Sequence, residues 1–203
     1  MVTNLIDMKI IDFLNSKKTF NNILEILKQK GLDCKKLPDG FFIAGGSVSN
    51  IIISMLHGGE PVINDIDVYI KTTKKDVVVG DSWYPSTYTT EDNMEIMDDS
   101  YGRIFVAEGG DRMRVLSHSR DGILNIIEYV YEKVRIKKND KSEIDVVIEG
   151  FDLNCCMSGI DLINEKLVYN KHFVDYLTNK QLKVVNPLAP IQTTIRIYKK
   201  IKD

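Results

Sequence analysis

The stretch FFIAGGSVSNIIISMLHGGEPVINDIDVYI, residues 41–70, decides the fold of this chain. Its first four residues are apolar and predict a short buried strand, which the glycines at 45–46 interrupt. Apolar residues then recur at the spacing of one helical face, at Val48, Ile51, Ile52, Met55 and Leu56. Two further glycines at 58–59 end this helix, and the alternation at 65–70 predicts a half-buried strand. The order is therefore strand, glycine turn, helix and strand.

Two parts of this stretch carry groups suited to phosphate and metal chemistry. Asp65 and Asp67 stand two residues apart in a predicted strand, so their side chains point to the same side. Carboxylate oxygens are hard ligands that suit Mg²⁺ or Mn²⁺, ions that keep substrate phosphates among their ligands. The Gly45-Gly46-Ser47 turn offers backbone N–H groups at a helix N-terminus, which favour an anion such as a triphosphate. The Ser47 hydroxyl adds a donor at the same place.

The combination of Gly45-Gly46-Ser47, a helix and Asp65-x-Asp67 resembles the motif of the nucleotidyltransferase superfamily. That superfamily includes poly(A) polymerases, CCA-adding enzymes and minimal nucleotidyltransferases, and the pattern here is most similar to phage and large-virus members. The resemblance implies an α/β (α+β) nucleotidyltransferase fold, with a mixed, mostly antiparallel sheet and helices packed on one side. The resemblance to the superfamily is strong over residues 40–71 and weak over residues 119–201.

The same resemblance implies a two-metal enzyme that moves a nucleoside monophosphate from an NTP, expected to be ATP, to a hydroxyl acceptor. The nucleotide-binding residues carried over are Gly45, Gly46, Ser47 and Asn50. The residues carried over as catalytic and as ligands of Mg²⁺ or Mn²⁺ are Asp65, Asp67 and Asp152. RNA or tRNA, a protein and a small molecule all remain open as acceptors. The alternative is a catalytically inactive relative that binds nucleotide, RNA or protein as a regulator.

Asp152 is the candidate for the third carboxylate that the superfamily places on a neighbouring strand. Residues 152–160 alternate in polarity and predict a strand, with small polar residues on the side of Asp152. The segment Gly150-Phe151-Asp152-Leu153-Asn154-Cys155-Cys156 also resembles the Phe-Asp-x-x-x-Cys strand of viral and phage members. Asp145 and Asp161 remain alternatives, the former if 143–148 is a strand and not a helix capped by Ser142.

The length of 203 residues predicts a single domain, residues 1–203, and the resemblance implies that this domain is nucleotidyltransferase-like. Within it we expect N-terminal helices at 1–40, a catalytic core at 41–161 with an insertion at 80–111, and a C-terminal segment at 162–203. Residues 193–202 predict a basic terminal helix. Its Arg196, Lys199 and Lys200 are candidates for contacting an RNA or protein acceptor, or a partner subunit.

Composition narrows the class of protein further. A net charge of −2 and a pI near 6.0 provide no general basic field for nucleic acid. The chain has no apolar run long enough to span a membrane and no secretory signal pattern at its N-terminus. Three cysteines, two of them adjacent, do not make a disulfide framework. We therefore expect a cytoplasmic protein without a membrane partner, in the host cytoplasm if a phage encodes it.

Overall fold

The computed structural model describes residues 5–37, 39–71, 83–85, 105–106, 112–119, 123–130, 142–186 and 190–202. Its helices are α1 (Leu5–Leu14), α2 (Lys17–Gln29), α3 (Gly46–His57), α4 (Glu143–Gly150), α5 (Lys171–Asn179) and α6 (Pro190–Lys202). Its strands are β1 (Phe41–Ala44), β2 (Ile66–Lys71), β3 (Trp83–Pro85), β4 (Phe105–Val106), β5 (Arg112–Ser119), β6 (Leu124–Val130), β7 (Ser158–Asp161) and β8 (Lys166–Tyr169). The fold is therefore mixed α/β, as the sequence predicts. None of the helices in these ranges has the length and hydropathy needed to cross a bilayer.

The chain divides into two compact units, one made of residues 1–63 and 142–203 and the other of residues 64–141. In the first unit β7 pairs antiparallel with both β1 and β8. The largest fully buried side chains of this unit are apolar: Leu14, Ile23, Leu27, Ile43, Ile51, Ile52, Ile148, Leu153, Met157, Ile160 and Phe173. Burial of each such side chain contributes about 1.5–3 kcal/mol, so this core holds the first unit together.

The second unit contains a five-stranded mixed sheet. Strand β2 runs parallel to β6, with Asp67 opposite Asn125. Strand β5 pairs antiparallel with β6 on one side and with β3 and β4 on the other. The register of β5 shifts by a bulge between Val115 and Ser117. The parallel pairing places Asp67 and Asn125 side by side.

The predicted strand–turn–helix–strand order of residues 41–70 is confirmed by β1, α3 and β2. Ser142 caps α4 as predicted. The break between α1 and α2 falls at residues 15–16, where Ser16 caps α2 by accepting a hydrogen bond from the backbone N–H of Thr19. Most of the predicted insertion at 80–111 lies outside the described residues.

The strand predicted at 152–160 begins only at Ser158. A 3₁₀ turn, Asn154–Cys156, precedes it. The reason is that Asn154 bonds to the backbone of a distant segment, donating to the carbonyl of Gln181 and accepting from the N–H of Lys183. Leu153 forms an isolated antiparallel bridge with Val184 of the same distant segment.

Gly159 is required by the pairing of β1 with β7. A Cβ at this position would lie 2.7 Å from the carbonyl oxygen of Ile43 and 3.0 Å from Cβ of Ala44. Overpacking of this kind costs about 1–3 kcal/mol, so Gly159→Ala is expected to lower the free energy of unfolding by that amount. Urea denaturation followed by circular dichroism measures it. Gly150→Ala is the control, because no described atom lies within 4 Å of its added Cβ; equal stability of the two variants would contradict the pairing.

Candidate functional site

The glycine turn between β1 and α3 is fixed by contacts on two sides. Gly45 has φ of +98°, a conformation that side-chain-bearing residues rarely adopt. Its N–H donates to the carbonyl of Ser158 at 2.9 Å, and an added Cβ would lie 3.3 Å from Cζ of Phe151. Gly45 is therefore a requirement of the fold.

The N-terminus of α3 lacks the side-chain cap that three other described helices have. Side chains cap α2, α4 and α5, namely Ser16, Ser142 and Asn170, whereas α3 has no side-chain cap. The first N–H groups of a helix lack intrahelical partners, so an uncapped end favours a negatively charged ligand. Among the described atoms, nothing lies within 4 Å of a Cβ built on Gly46.

Ser47 supplies a second, independent sign of a ligand at this helix end. Its residue is only 3% exposed, and its Oγ has no hydrogen-bond partner among the described atoms. Buried hydroxyl groups nearly always have a partner, because leaving one unpaired costs about 1–3 kcal/mol. A phosphate oxygen at the N-terminus of α3 is the kind of acceptor that this hydroxyl lacks.

Asn50, the fourth predicted nucleotide-binding residue, has partners at both ends of its amide within the first unit. Its Nδ2 donates to the carbonyl of Val62 at 2.7 Å, and its Oδ1 accepts from Nζ of Lys200 at 2.7 Å. The side chain thus ties α3 to the segment that follows it and to the C-terminal helix α6.

In the second unit, Asp65 is exposed just before β2 and Asp67 is half-buried in that strand. Asn125 on β6 donates from Nδ2 to Oδ1 of Asp67 at 3.0 Å. Asn125 is 5% exposed, and its Oδ1 has no hydrogen-bond partner among the described atoms. These oxygens suit Mg²⁺ or Mn²⁺ in chemical type. No group of three or more His, Cys, Asp or Glu poised for a metal occurs in the described ranges.

Asp152 serves the packing of α6 in the first unit. It is 8% exposed, and its Oδ2 accepts from Oγ1 of Thr193 at 2.8 Å and from Nη1 of Arg196 at 2.7 Å. The other two candidates for a third carboxylate also have structural partners. Asp145 completes a capping box with Ser142 on α4, and Asp161 accepts from the backbone and side chain of Asn164 in the turn after β7.

Two of the three basic residues proposed on α6 make hydrogen bonds within the first unit, and the third is exposed. Arg196 binds Asp152 and Lys200 binds Asn50, whereas Lys199 is exposed.

The charge of Lys200 also acts to lower the pKa values of two adjacent thiols, those of Cys155 and Cys156. A hydrogen bond from Cys155 lowers the pKa of Cys156 against the effect of burial, and Lys200 acts in the same direction as that hydrogen bond. The same hydrogen bond and burial raise the pKa of Cys155.

Sequence reasoning missed Asn125 and Thr193. Asn125 is the sole amide in the run ILNIIEYVY at 123–131, and an amide between apolar residues of a predicted strand is a signal that it bonds to something specific. No comparable signal marks Thr193, because the residues around it in the sequence are mixed.

Loss of the Asp152 carboxylate is expected to loosen α6. In Asp152→Ala the buried hydroxyl of Thr193 loses its acceptor, which costs about 1–3 kcal/mol. Hydrogen exchange read by mass spectrometry should then show faster exchange over 190–202. Asp175→Ala is the control, because that carboxylate is bound by Lys171 on α5. Unchanged exchange at α6 would show that Asp152 does not anchor it.

The profile of one protein family, described as Gabija anti-defense 2 family protein, matches residues 14–180. The matched range includes the glycine turn, the Asp65–Asp67 pair, Asn125 and Asp152, and it ends before α6. No curated protein matches the sequence significantly. Since the match covers most of its length, the chain belongs to the Gabija anti-defense 2 family.

Proposed function

We propose that this protein is a metal-dependent nucleotidyltransferase with the nucleotidyltransferase fold, moving a nucleoside monophosphate from an NTP to a hydroxyl acceptor. The observation that carries the proposal is the buried, unpartnered hydroxyl of Ser47 at the uncapped N-terminus of α3. It supports a phosphate ligand independently of the sequence motif. The strand–turn–helix–strand order of residues 41–70 supports the fold assignment.

The phosphates of the NTP, expected to be ATP, bind at the glycine turn. Gly45 gives the turn its positive φ, and the open space at Gly46 lets a phosphate approach the backbone. Backbone N–H groups and the hydroxyl of Ser47 then donate to phosphate oxygens, whose charge the N-terminus of α3 favours. Asn50 acts through its contacts with Val62 and Lys200, which position α3.

Asp65 and Asp67 are the residues that hold Mg²⁺ or Mn²⁺. Their carboxylates are the hard oxygen ligands that these ions prefer, and Asn125 keeps the carboxylate of Asp67 oriented by its hydrogen bond. The ion, when bound, supplies charge stabilisation for an in-line displacement at phosphorus. In that displacement an acceptor oxygen forms a bond to the α-phosphorus, the bond to pyrophosphate breaks, and the acceptor proton is released.

The family name supports a proposal about the class of acceptor. The family name points to action against a defence system, so we propose that the acceptor is a protein or RNA of that system, in the cytoplasm of the host cell. The exposed Lys199 on α6 offers a charge for such a contact.

A second candidate is a protein that binds nucleotide without turnover. One observation favours it: the residue opposite Asp67 on β6 is Asn125, and an amide cannot take up a proton from an acceptor hydroxyl as a carboxylate can. Asp152, the predicted third carboxylate, already accepts from Arg196 and Thr193. This candidate predicts nucleotide binding with no transfer.

Ser47→Ala and Gly46→Ala separate ligand binding from folding. Ser47→Ala removes a hydroxyl that has no partner among the described atoms, so stability should hold while NTP affinity falls by the value of a hydrogen bond to a charged group, about 1.5–3 kcal/mol. Gly46→Ala adds a methyl group in open space, so melting temperature should hold or rise while affinity falls. Calorimetric titration with a non-hydrolysable NTP gives the affinities.

The control for these two variants is Ser54→Ala, near the opposite end of α3. The Ser54 hydroxyl donates to the carbonyl of Gly59, so this variant removes a serine hydroxyl from the same helix away from the glycine turn. Its NTP affinity should equal that of wild type. Unchanged NTP affinity in both Ser47→Ala and Gly46→Ala would show that the glycine turn does not bind the phosphates.

Transfer itself is tested with α-³²P-labelled NTPs, Mg²⁺ and extract from host cells that carry the defence system. The proposal expects label on a protein or RNA band with wild type and none with Asp67→Asn, which keeps the shape of the side chain but not its charge. The second candidate would be favoured if the protein binds nucleotide but no macromolecule is labelled and no pyrophosphate is released.

A further inference from the structure

Among the described residues of the second unit, Asn125 carries a buried amide oxygen without a hydrogen-bond partner, which the pairing of strands does not explain. It lies on β6 beside Asp67 in the parallel register and is 5% exposed. Its Nδ2 is used by Asp67, whereas its Oδ1 has no partner among the described atoms. A buried amide oxygen left unpaired is unfavourable unless a ligand meets it.

The orientation of this amide is determined by its neighbour. Only the NH₂ end of an asparagine can donate, so the negatively charged oxygen of Asp67 at 3.0 Å requires Nδ2 to face it. Rotating the amide by half a turn would place two acceptors against each other. The carbonyl oxygen therefore points away from the Asp67 oxygen that Nδ2 binds, and it remains available as a ligand.

We propose that Asn125 completes the metal site of Asp65 and Asp67, with Oδ1 as a neutral ligand for Mg²⁺ or Mn²⁺ and Nδ2 as the group that positions Asp67. This inference rests on the proposed metal-dependent function and names one more residue of that site. Amide oxygens are accepted ligands of both ions, and a ligand that also orients a neighbouring carboxylate sets the geometry of the site.

An amide in place of a third carboxylate affects the order in which the cation and the NTP bind. Two carboxylates and one amide carry two negative charges, one fewer than three carboxylates. Affinity for divalent cations rises with the charge of the ligand set, so this site holds a free cation weakly. The phosphates of an NTP bind divalent cations themselves, so an NTP that carries the cation supplies the missing negative charge. The cation therefore binds much more tightly when the NTP is present.

Wild-type protein provides the first test, through ¹⁵N labelling of the asparagine side chains and titration with Mn²⁺. Mn²⁺ broadens the resonances of nearby groups, so the Nδ2H₂ signal of Asn125 should be lost early. A non-hydrolysable NTP should lower the Mn²⁺ concentration that is required. Persistence of the Asn125 signal at saturating Mn²⁺, with and without the NTP, would overturn the proposal.

Two substitutions provide the second test, with Mn²⁺ binding measured by electron paramagnetic resonance. Asn125→Ala should weaken Mn²⁺ binding about 10- to 100-fold, the usual loss when such a supporting residue is removed. Asn125→Asp removes the donor to Asp67 and adds a like charge beside it. Without metal, the melting temperature of this variant should therefore be lower than that of wild type. Addition of Mn²⁺ should raise the melting temperature of the variant. Its Mn²⁺ affinity without NTP should exceed that of wild type.

Asn170→Asp is the matched control for the added charge. Asn170 caps α5 in the first unit, and aspartate caps a helix as well as asparagine does. The control should keep the wild-type affinity for Mn²⁺ and a melting temperature that Mn²⁺ does not change. If Asn125→Ala lowers stability but leaves Mn²⁺ affinity unchanged, Asn125 is a structural residue only. If Mn²⁺ binds through Asn125 but no transfer occurs, this inference holds and the enzymatic function fails.

Discussion

The structure of the first unit depends on the backbone of one residue, Gly45. Its positive φ turns the chain from β1 into α3, and its N–H donates to the carbonyl of Ser158 on β7. A Cβ added at Gly45 would lie 3.3 Å from the ring of Phe151, a tight contact. A hydrogen bond of 2.7 Å between Ser49 and Ser158 fixes α3 to the same strand. The helix end is thus held by its surroundings and needs no side-chain cap. An uncapped end presents unpaired N–H groups, which is the requirement for binding an anion.

Within the two units, the polar side chains considered as site residues fall into two classes. In one class the donors and acceptors are satisfied inside the protein: Asp152 anchors α6, Asp145 caps α4, Asp161 closes a turn and Asn50 ties α3 to α6. In the other class, Ser47 and Asn125 each bury an atom without a partner among the described residues. The second class is where ligands are to be expected, because an unpaired buried group costs free energy that a ligand can recover.

The sequence predicted local structure well where a single interaction decides it. The glycine turn, α3, β2 and the cap at Ser142 follow from backbone conformation and short-range periodicity. Prediction failed where a distant contact decides, as at Asn154, whose amide binds the backbone at 181 and 183 and replaces the expected strand with a 3₁₀ turn. Asn125 was missed for the same reason: its importance depends on a strand register that joins it to Asp67, 58 residues away.

Divalent-dependent nucleotide binding is the most direct test of the central claim, that the glycine turn binds phosphate and the Asp65–Asp67 pair binds the metal. Calorimetric titration of a non-hydrolysable NTP, with and without Mg²⁺, compares wild type with the Asp65→Ala/Asp67→Ala variant. The account predicts tight binding to wild type only when Mg²⁺ is present, and loss of this dependence in the variant. Binding that is equal in both proteins, or absent from both at millimolar NTP, would contradict it.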